Sequence, residues 1–241
     1  MNIVIPMAGL GKRFPVNIYK VPKPLILIQD IPMIARVLKS LNIPGKYYFI
    51  LKQDDFTSQL EDLLYSVMPE CIVIKVPELT RGPAETCLTV RKFIDNDQEL
   101  LIANSDQILW WDSELFLRCA RTEKLDGLIL TFSSRSYNNS YALISKEGFV
   151  QEIREKEIIS DIALAGVHYW RKGSYFVESA DRMINENNKS HDEFYVGPTY
   201  NYLIKSFRKI GVYNLSSFQH NPVGTPEDLR EFEEKLWIYT R

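Results

Sequence analysis

Two glycines, an arginine and a lysine stand in order near the chain start: Met7-Ala8-Gly9-Leu10-Gly11-Lys12-Arg13-Phe14, then Val21-Pro22-Lys23-Pro24-Leu25. An apolar run, Ile3 to Met7, breaks into this turn. Gly9 and Gly11 let backbone N–H groups face a ligand because no Cβ intervenes. Arg13 brings a planar fork of donors and Lys23 a point charge, a pair of cations suited to phosphate oxygens. The arrangement is a device for holding a polyphosphate. No Gly-Lys-Ser/Thr closes a P-loop, and Phe14 stands where a dinucleotide fingerprint needs its third glycine. A strand, a turn and surface lysines would explain a lone Gly-x-Gly, but explain the ordered set less well.

Three further places could carry chemistry. Asp106 directly follows an apolar strand, at the carboxyl end where open α/β sheets bind ligands. Mg²⁺ held by one or two carboxylates and by substrate phosphates needs an acid there. Taken alone, Asp106 equally suits a turn or a helix N-cap. Thr80-Arg81-Gly82-Pro83 opens a predicted helix, where Gly82 permits close backbone approach and an ordinary Gly-Pro helix start is the alternative. Glu155-Lys156 follows a predicted strand and hairpin, with a solvated surface pair as the plainer reading.

The segment from Gly9 to Leu25 resembles the signature of the sugar-phosphate nucleotidyltransferase family, which includes small cytidylyltransferases: G-x-G-x-R-F/L with a downstream P-K-P/A-L. The resemblance extends from Ile3 to about Phe232 and implies a glycosyltransferase-A-like fold. It implies that Met7, Ala8, Gly9, Leu10, Gly11, Lys12 and Arg13 wrap a nucleotide triphosphate, with Arg13 on the outer phosphates and Lys23 on the α-phosphate. Asn104-Ser105-Asp106-Gln107 resembles the family's metal-binding strand end. Asp106 would then hold Mg²⁺, with Asn104 and Ser105 beside the nucleotide. Thr80, Gly82 and Pro83 resemble the second glycine turn, which reads the base. Glu155-Lys156 is similar to an E-K element in which the lysine holds the acceptor's phosphate and the glutamate hydrogen-bonds the acceptor. Ala165-Gly166-Val167 matches a small strand segment lining the acceptor pocket, and Glu193, Tyr195 and Asn201 resemble a further acceptor-side element. Pro222 is a departure, because many members place there an Asp that is a second metal ligand. Either one carboxylate with phosphates and water completes the shell, or another acid such as Asp161 substitutes.

These residues need strands and helices to position them. Apolar β-rich runs alternate with helical periodicity, which predicts a single-domain, Rossmann-like three-layer α/β/α architecture with a mostly parallel, mixed sheet. Ile34, Val37, Leu38 and Leu41 keep the spacing of a helix face, as do Phe56, Leu60, Leu63, Leu64 and Val67. Strands are predicted at Ile3 to Met7, Lys46 to Leu51, Cys71 to Val76 and Glu99 to Ala103, and a helix from Ala84 to Ile94. Past Gly127 short strands follow: Gly127 to Phe132, Tyr141 to Ser145, Val150 to Arg154 and Ala163 to Trp170, with a hairpin turn at Gly148. Helices are predicted at Tyr175 to Asn185, near Thr199 to Phe207, and from a capping box at Thr225-Pro226-Glu227-Asp228. The halves, about 1–125 and 126–241, would bind nucleotide and acceptor respectively.

With 241 residues, 45% of them hydrophobic, the chain can bury a substantial core. A net charge of −2 with both signs mixed argues against bulk binding to nucleic acid or anionic membrane. No apolar run approaches the roughly 20 residues that span a bilayer, and Met1 to Phe14 does not look like a signal peptide. Cys71, Cys87 and Cys119, with no C-x-x-C, fit buried thiols in a reducing cytosol, so a cytoplasmic location is expected. His168, His191 and His220 are scattered and suggest no zinc site.

The reaction implied by the resemblance is NMP transfer from an NTP (CTP, UTP, dTTP or GTP) to a phosphorylated acceptor, with Mg²⁺ and release of pyrophosphate. A sugar 1-phosphate feeding surface polysaccharide is the first choice of acceptor. The runner-up is a cytidylyltransferase acting on a phosphorylated amino alcohol or similar molecule. A glycosyltransferase of the same fold, which would need an Asp-x-Asp-like pair, and a non-catalytic nucleotide-binding protein are the remaining alternatives. Oligomeric state is left open.

Overall fold

A computed structural model describes residues 1–15 and 17–239. The first half alternates strand and helix: β1 (Asn2–Met7), a short hairpin of β2 (Leu27–Ile28) and β3 (Ile31–Pro32), α1 (Met33–Leu41), β4 (Lys46–Lys52), α2 (Thr57–Val67), β5 (Ile72–Val76), α3 (Pro83–Leu88), α4 (Arg91–Ile94) and β6 (Leu100–Ala103). Next come β7 (Gln107–Leu109), α5 (Ser113–Thr122), β8 (Gly127–Ser133), β9 (Ser140–Ile144), β10 (Val150–Glu155) and β11 (Ile162–Trp170). The chain then runs through α6 (Gly173–Asn185), α7 (Tyr200–Lys205), β12 (Ile210–Leu215), β13 (His220–Pro222) and α8 (Pro226–Tyr239).

One sheet organises the chain. Its first half, ordered β6-β1-β4-β5, is parallel throughout, so the carboxyl ends of these strands open on one edge. The second half is antiparallel where β11 joins β6, β8 and β9 and where β9 meets β10, whereas β12 is parallel to β8. The mixture is thus divided between the two halves.

Strand pleating sends alternate residues to opposite faces, and the apolar runs serve two cores. Ile3, Ile5, Phe49, Leu51 and Leu101 pack with α1, α2, α5 and α8. Val4, Tyr48, Ile50, Leu100 and Ile102 pack with α3, α4, α6 and α7. Near-continuous apolar strands are what a sheet covered on both faces requires, and the result is the expected α/β/α sandwich.

Three features depart from the predicted elements. The helix predicted from Ala84 to Ile94 breaks at Thr89–Val90, where Thr89 N and Val90 N bond three residues back, to the Thr86 and Cys87 carbonyls, and the Thr89 hydroxyl also donates to the Thr86 carbonyl. Back-bonding of this kind competes with the regular helix. α5, β12 and the antiparallel pair β7–β13 go beyond the periodicity. The Asp112 side chain starts α5 by accepting from Leu115 N at 2.9 Å, and three-residue strands are too short to show alternation. Cys71 and Cys87 are buried as expected, but Cys119 is only half-buried. At α8, Thr225 Oγ1 accepts from Asp228 N at 3.1 Å, the predicted cap.

Candidate active site

The carboxyl edge of the parallel strands holds a cleft of about 560 Å³. Each strand delivers a loop to it. β1 leads into Met7, Ala8, Gly9, Leu10, Gly11, Lys12 and Arg13; β6 leads into Asn104, Ser105 and Asp106; the segment after β5 supplies Thr80, Gly82 and Pro83; all of these line the cleft together with Lys23 and Glu193. Gly11 has φ +60°, a conformation that an L side chain resists. A Cβ on Gly9 would meet nothing within 4 Å, so its bare backbone faces open space.

Asp106 is the electrostatic centre. Lys23 Nζ donates to its Oδ2, and Arg13 lies 3.4 Å from the same oxygen. Lys23 is mostly buried, and Arg13 is exposed on the cleft wall. Burial would push Asp106 up, but the two cations outweigh it and hold the carboxyl below its ordinary value. Burial, joined by the nearby Arg13 charge, holds Lys23 below its ordinary value although Asp106 raises it. The chain closes round this group from its far end: Val223 N donates to the Asp106 carbonyl at 2.8 Å, and a Cβ on Gly224 would come within 3.0 Å of Asp106 Oδ2. Pro222 pairs with Gln107, the residue next to Asp106, and brings no ligand there. Asp161, the suggested substitute, lines a separate pocket with Thr131, Ser133 and Asn214.

Gly82 faces the cleft, but its close backbone approach is made by the chain itself. With φ +141°, a Cβ there would lie 2.4 Å from Phe194 N, while Phe194 N donates to the Arg81 carbonyl at 2.9 Å. The turn preceding Phe194 has two successive left-handed residues, His191 and Asp192, closed by paired bonds between Ser190 and Glu193. This turn places Glu193 in the cleft.

The residues expected on the acceptor side include an adjoining cluster. Glu155 is buried against the Ser140 hydroxyl, and burial raises its carboxyl above the usual value. Lys156, half-buried, donates to Tyr195 Oη at 2.9 Å; this bond is the main reason its pKa is raised. The Glu193 carboxylate, itself on the cleft wall, adds to the burial that raises the Tyr195 hydroxyl, so the cluster adjoins the cleft. These two residues are therefore not a solvated surface pair. Gly166, at φ +64°, sits in a bulge where β11 advances four residues, Leu164 to His168, while β8 advances two, Thr131 to Ile129. Its carbonyl accepts from Asn104 N at 2.9 Å, so the bulge abuts the loop that carries Asp106. Val167 is fully buried in the core and does not line the cleft. Asn201 is occupied elsewhere: its side chain bonds both the N–H and the carbonyl of Ile153, each at 2.8 Å.

Lys52, the last residue of β4, and Asp54, just beyond it, also line the cleft and were not singled out from sequence. Their signal is positional, since they lie at the end of the strand beside β1. Among the described residues no cluster of three His, Cys, Asp or Glu side chains forms a metal site, and no helix is long and apolar enough to cross a membrane.

No family model matches the sequence, nor does any curated protein. Solved structures do match in shape. A nucleoside-diphosphate-sugar pyrophosphorylase from Vibrio cholerae RC9 superposes with a TM-score of 0.82 at 19% identity, over 96% of this chain and 99% of that one. A UDP-glucose pyrophosphorylase complexed with UDP-glucose gives 0.80 at 14% identity, over 99% and 98%. The inositol-1-phosphate CTP transferase from T. maritima gives 0.76 at 13% identity, over 97% and 93%. Over nearly its whole length, the chain has the glycosyltransferase-A-like fold of these sugar-phosphate nucleotidyltransferases.

Proposed function

We propose that the chain is a nucleotidyltransferase that moves NMP from an NTP to a small phosphorylated acceptor and releases pyrophosphate. One observation carries this reading: the glycine loop, Arg13 and Lys23 converge on Asp106 in one cleft at the carboxyl edge of the sheet. Shape neighbours that act on nucleoside-diphosphate sugars, and one named for inositol 1-phosphate and CTP, support it. A sugar 1-phosphate is the proposed acceptor, with a product serving surface polysaccharide synthesis in the cytoplasm. A phosphorylated alcohol is the second reading, favoured by the last of these neighbours.

In the proposed step an acceptor phosphate oxygen attacks the α-phosphorus. A new P–O bond forms as the bond to the β-phosphate oxygen breaks, and the electron pair leaves with pyrophosphate. The attacking oxygen is already anionic, so no general base is needed and catalysis reduces to positioning and charge neutralisation. Backbone N–H groups of the loop at Gly9 and Gly11 orient the triphosphate, and Arg13 offsets charge on the outer phosphates. Lys23 turns from Asp106 to the α-phosphate. Lys156, held by Tyr195, binds the acceptor's phosphate and screens the approach of two anions.

Asp106 fits Mg²⁺, since one carboxylate completed by phosphate oxygens and water is a donor set this ion uses beside nucleotides. When bound, the ion supplies positive charge to the phosphate oxygens on which negative charge builds up. The test is a pyrophosphate-release screen of four NTPs against sugar 1-phosphates and phosphorylated alcohols, with and without chelator. Release that requires both substrates, stops with chelator and returns with Mg²⁺ is expected. Absence of release across the panel would overturn the reading.

A further inference from the structure

α7 ends at Lys205 in a left-handed turn that a phenylalanine makes. Phe207 N donates to the Ile204 carbonyl at 2.9 Å, and Arg208 N donates to the Leu203 carbonyl at 3.0 Å. This is the Schellman closure of a helix, whose left-handed residue is usually glycine because a Cβ is penalised there. Here Phe207 takes that place, at φ +58°. Its ring is 97% exposed, so it packs on nothing in the fold. A lone exposed apolar side chain needs no explanation. A bulky one in a backbone conformation that glycine adopts at less cost does, because the fold gains from neither feature.

The ring stands among cations. Lys205 to Lys209 are all exposed, with Lys205 and Ser206 on one side of Phe207 and Arg208 and Lys209 on the other. Arg208 lies 3.7 Å from Asp126, and Arg171 lies 3.6 Å from the same carboxylate. Two guanidinium groups on one largely buried carboxylate leave positive charge over. Lys205 and Lys209 have no carboxylate partner among the described residues. The whole-chain charge of −2 speaks against bulk attraction to anions, not against this local patch. The turn also lies on the edge opposite the cleft. β12 starts beside Gly127 of β8, Gly127 faces Trp170 at the end of β11, and Trp170 faces Leu100 at the start of β6. The cleft opens beyond the other end of β6, at Asn104 to Asp106. A surface bound at Phe207 leaves the cleft open.

We infer that this turn docks the protein on an anionic lipid surface, with the Phe207 ring among the headgroups and the flanking cations on lipid phosphates. The other residues of the turn are polar or charged, so it offers no apolar patch to seal a protein hot spot from water. A second copy presenting the same turn would bring like charges together. A headgroup layer asks only for a ring at the interface and cations at its phosphates.

Co-sedimentation of the full chain with vesicles of phosphatidylglycerol and phosphatidylcholine in equal parts, against phosphatidylcholine alone, tests this without nucleotide or acceptor. Binding to the anionic vesicles alone is expected at about 50 mM salt, and about tenfold weaker binding at about 500 mM. Phe207→Gly should weaken it about five- to tenfold, while urea unfolding shows equal or greater stability because glycine suits the turn. Lys205→Glu combined with Lys209→Glu should abolish it. Phe207→Trp should retain it, with the added tryptophan emission shifting to the blue on anionic vesicles. Equal binding to both vesicles, binding to neither, or undiminished binding of Phe207→Gly would overturn the inference. So would a loss of stability in Phe207→Gly, which would make the ring part of the fold. Binding to soluble polyglutamate but not to vesicles would overturn it too, and assign the turn to an acidic protein. None of these outcomes depends on what the cleft binds.

Discussion

Asp106 can be neutralised without changing its shape, which makes it the sharpest single test. Two cations keep it ionised below the ordinary carboxylate range, so Asp106→Asn removes charge and little volume. Turnover should fall by roughly 10²–10³, as when other preorganised electrostatic groups are lost, while circular dichroism stays native. Wild-type turnover in this variant would remove Asp106 from the reaction. Lys156→Ala probes the other substrate. A charge-assisted hydrogen bond is worth about 1.5–3 kcal/mol, so acceptor KM should rise about ten- to a hundredfold with NTP KM nearly unchanged. Equal changes for both substrates, or none for either, would refute the acceptor role. Both residues were legible in sequence because each follows a recognisable strand. The environment of Glu155 was not, because its partner Ser140 is fifteen positions away and only the hairpin brings the two together.

Among the elements, the glycines separate into those the fold needs and those a ligand needs. The Cβ of Gly82→Ala would press into the Phe194 backbone, at 2.4 Å from its nitrogen and 2.6 Å from its oxygen. With φ +141° as well, urea unfolding should show a loss of about 1–3 kcal/mol or more. Gly9→Ala meets nothing within 4 Å. Its stability should stay within about 0.5 kcal/mol of wild type while NTP binding weakens, and unchanged binding would mean that no ligand occupies that space. Sequence disclosed these glycines but not which purpose each serves, because the nearest atom to Gly82 belongs to a residue more than a hundred positions later. Element types were readable where periodicity was long, as in α1 and β4. They were not where pairing is the cause: β7 and β13 exist because Asn221 and Ile108 lie opposite one another. Lys52 and Asp54 escaped notice for the same reason, since no letter in the sequence says that β4 ends beside β1.

Across the whole molecule, the buried His168 and the half-buried His220 tie stability to pH. Burial lowers His168 to about 3 and His220 to about 4, both below the ordinary value of about 6.5. The unfolded chain therefore takes up protons first as pH falls. Stability should be level above about pH 6.5 and decline below it, toward pH 4 for His220 and pH 3 for His168, by about 1.4 kcal/mol per pH unit for each histidine. Urea titrations at pH 7, 6 and 5 would measure the slope, and His168→Gln should reduce it. A flat profile would mean that these rings are not held neutral by the fold. The contact of Gly224 with Asp106 and Arg13 has a consequence for biosynthesis. The glycine loop leaves the ribosome early, but the segment that closes over Asp106 emerges more than two hundred residues after Arg13. A domain folds as a unit, so a nascent chain carries the proposed phosphate-binding residues long before it has a finished cleft. Competence to hold nucleotide then arrives as one late event, and fragments released before residue 224 would not sequester the cell's triphosphates.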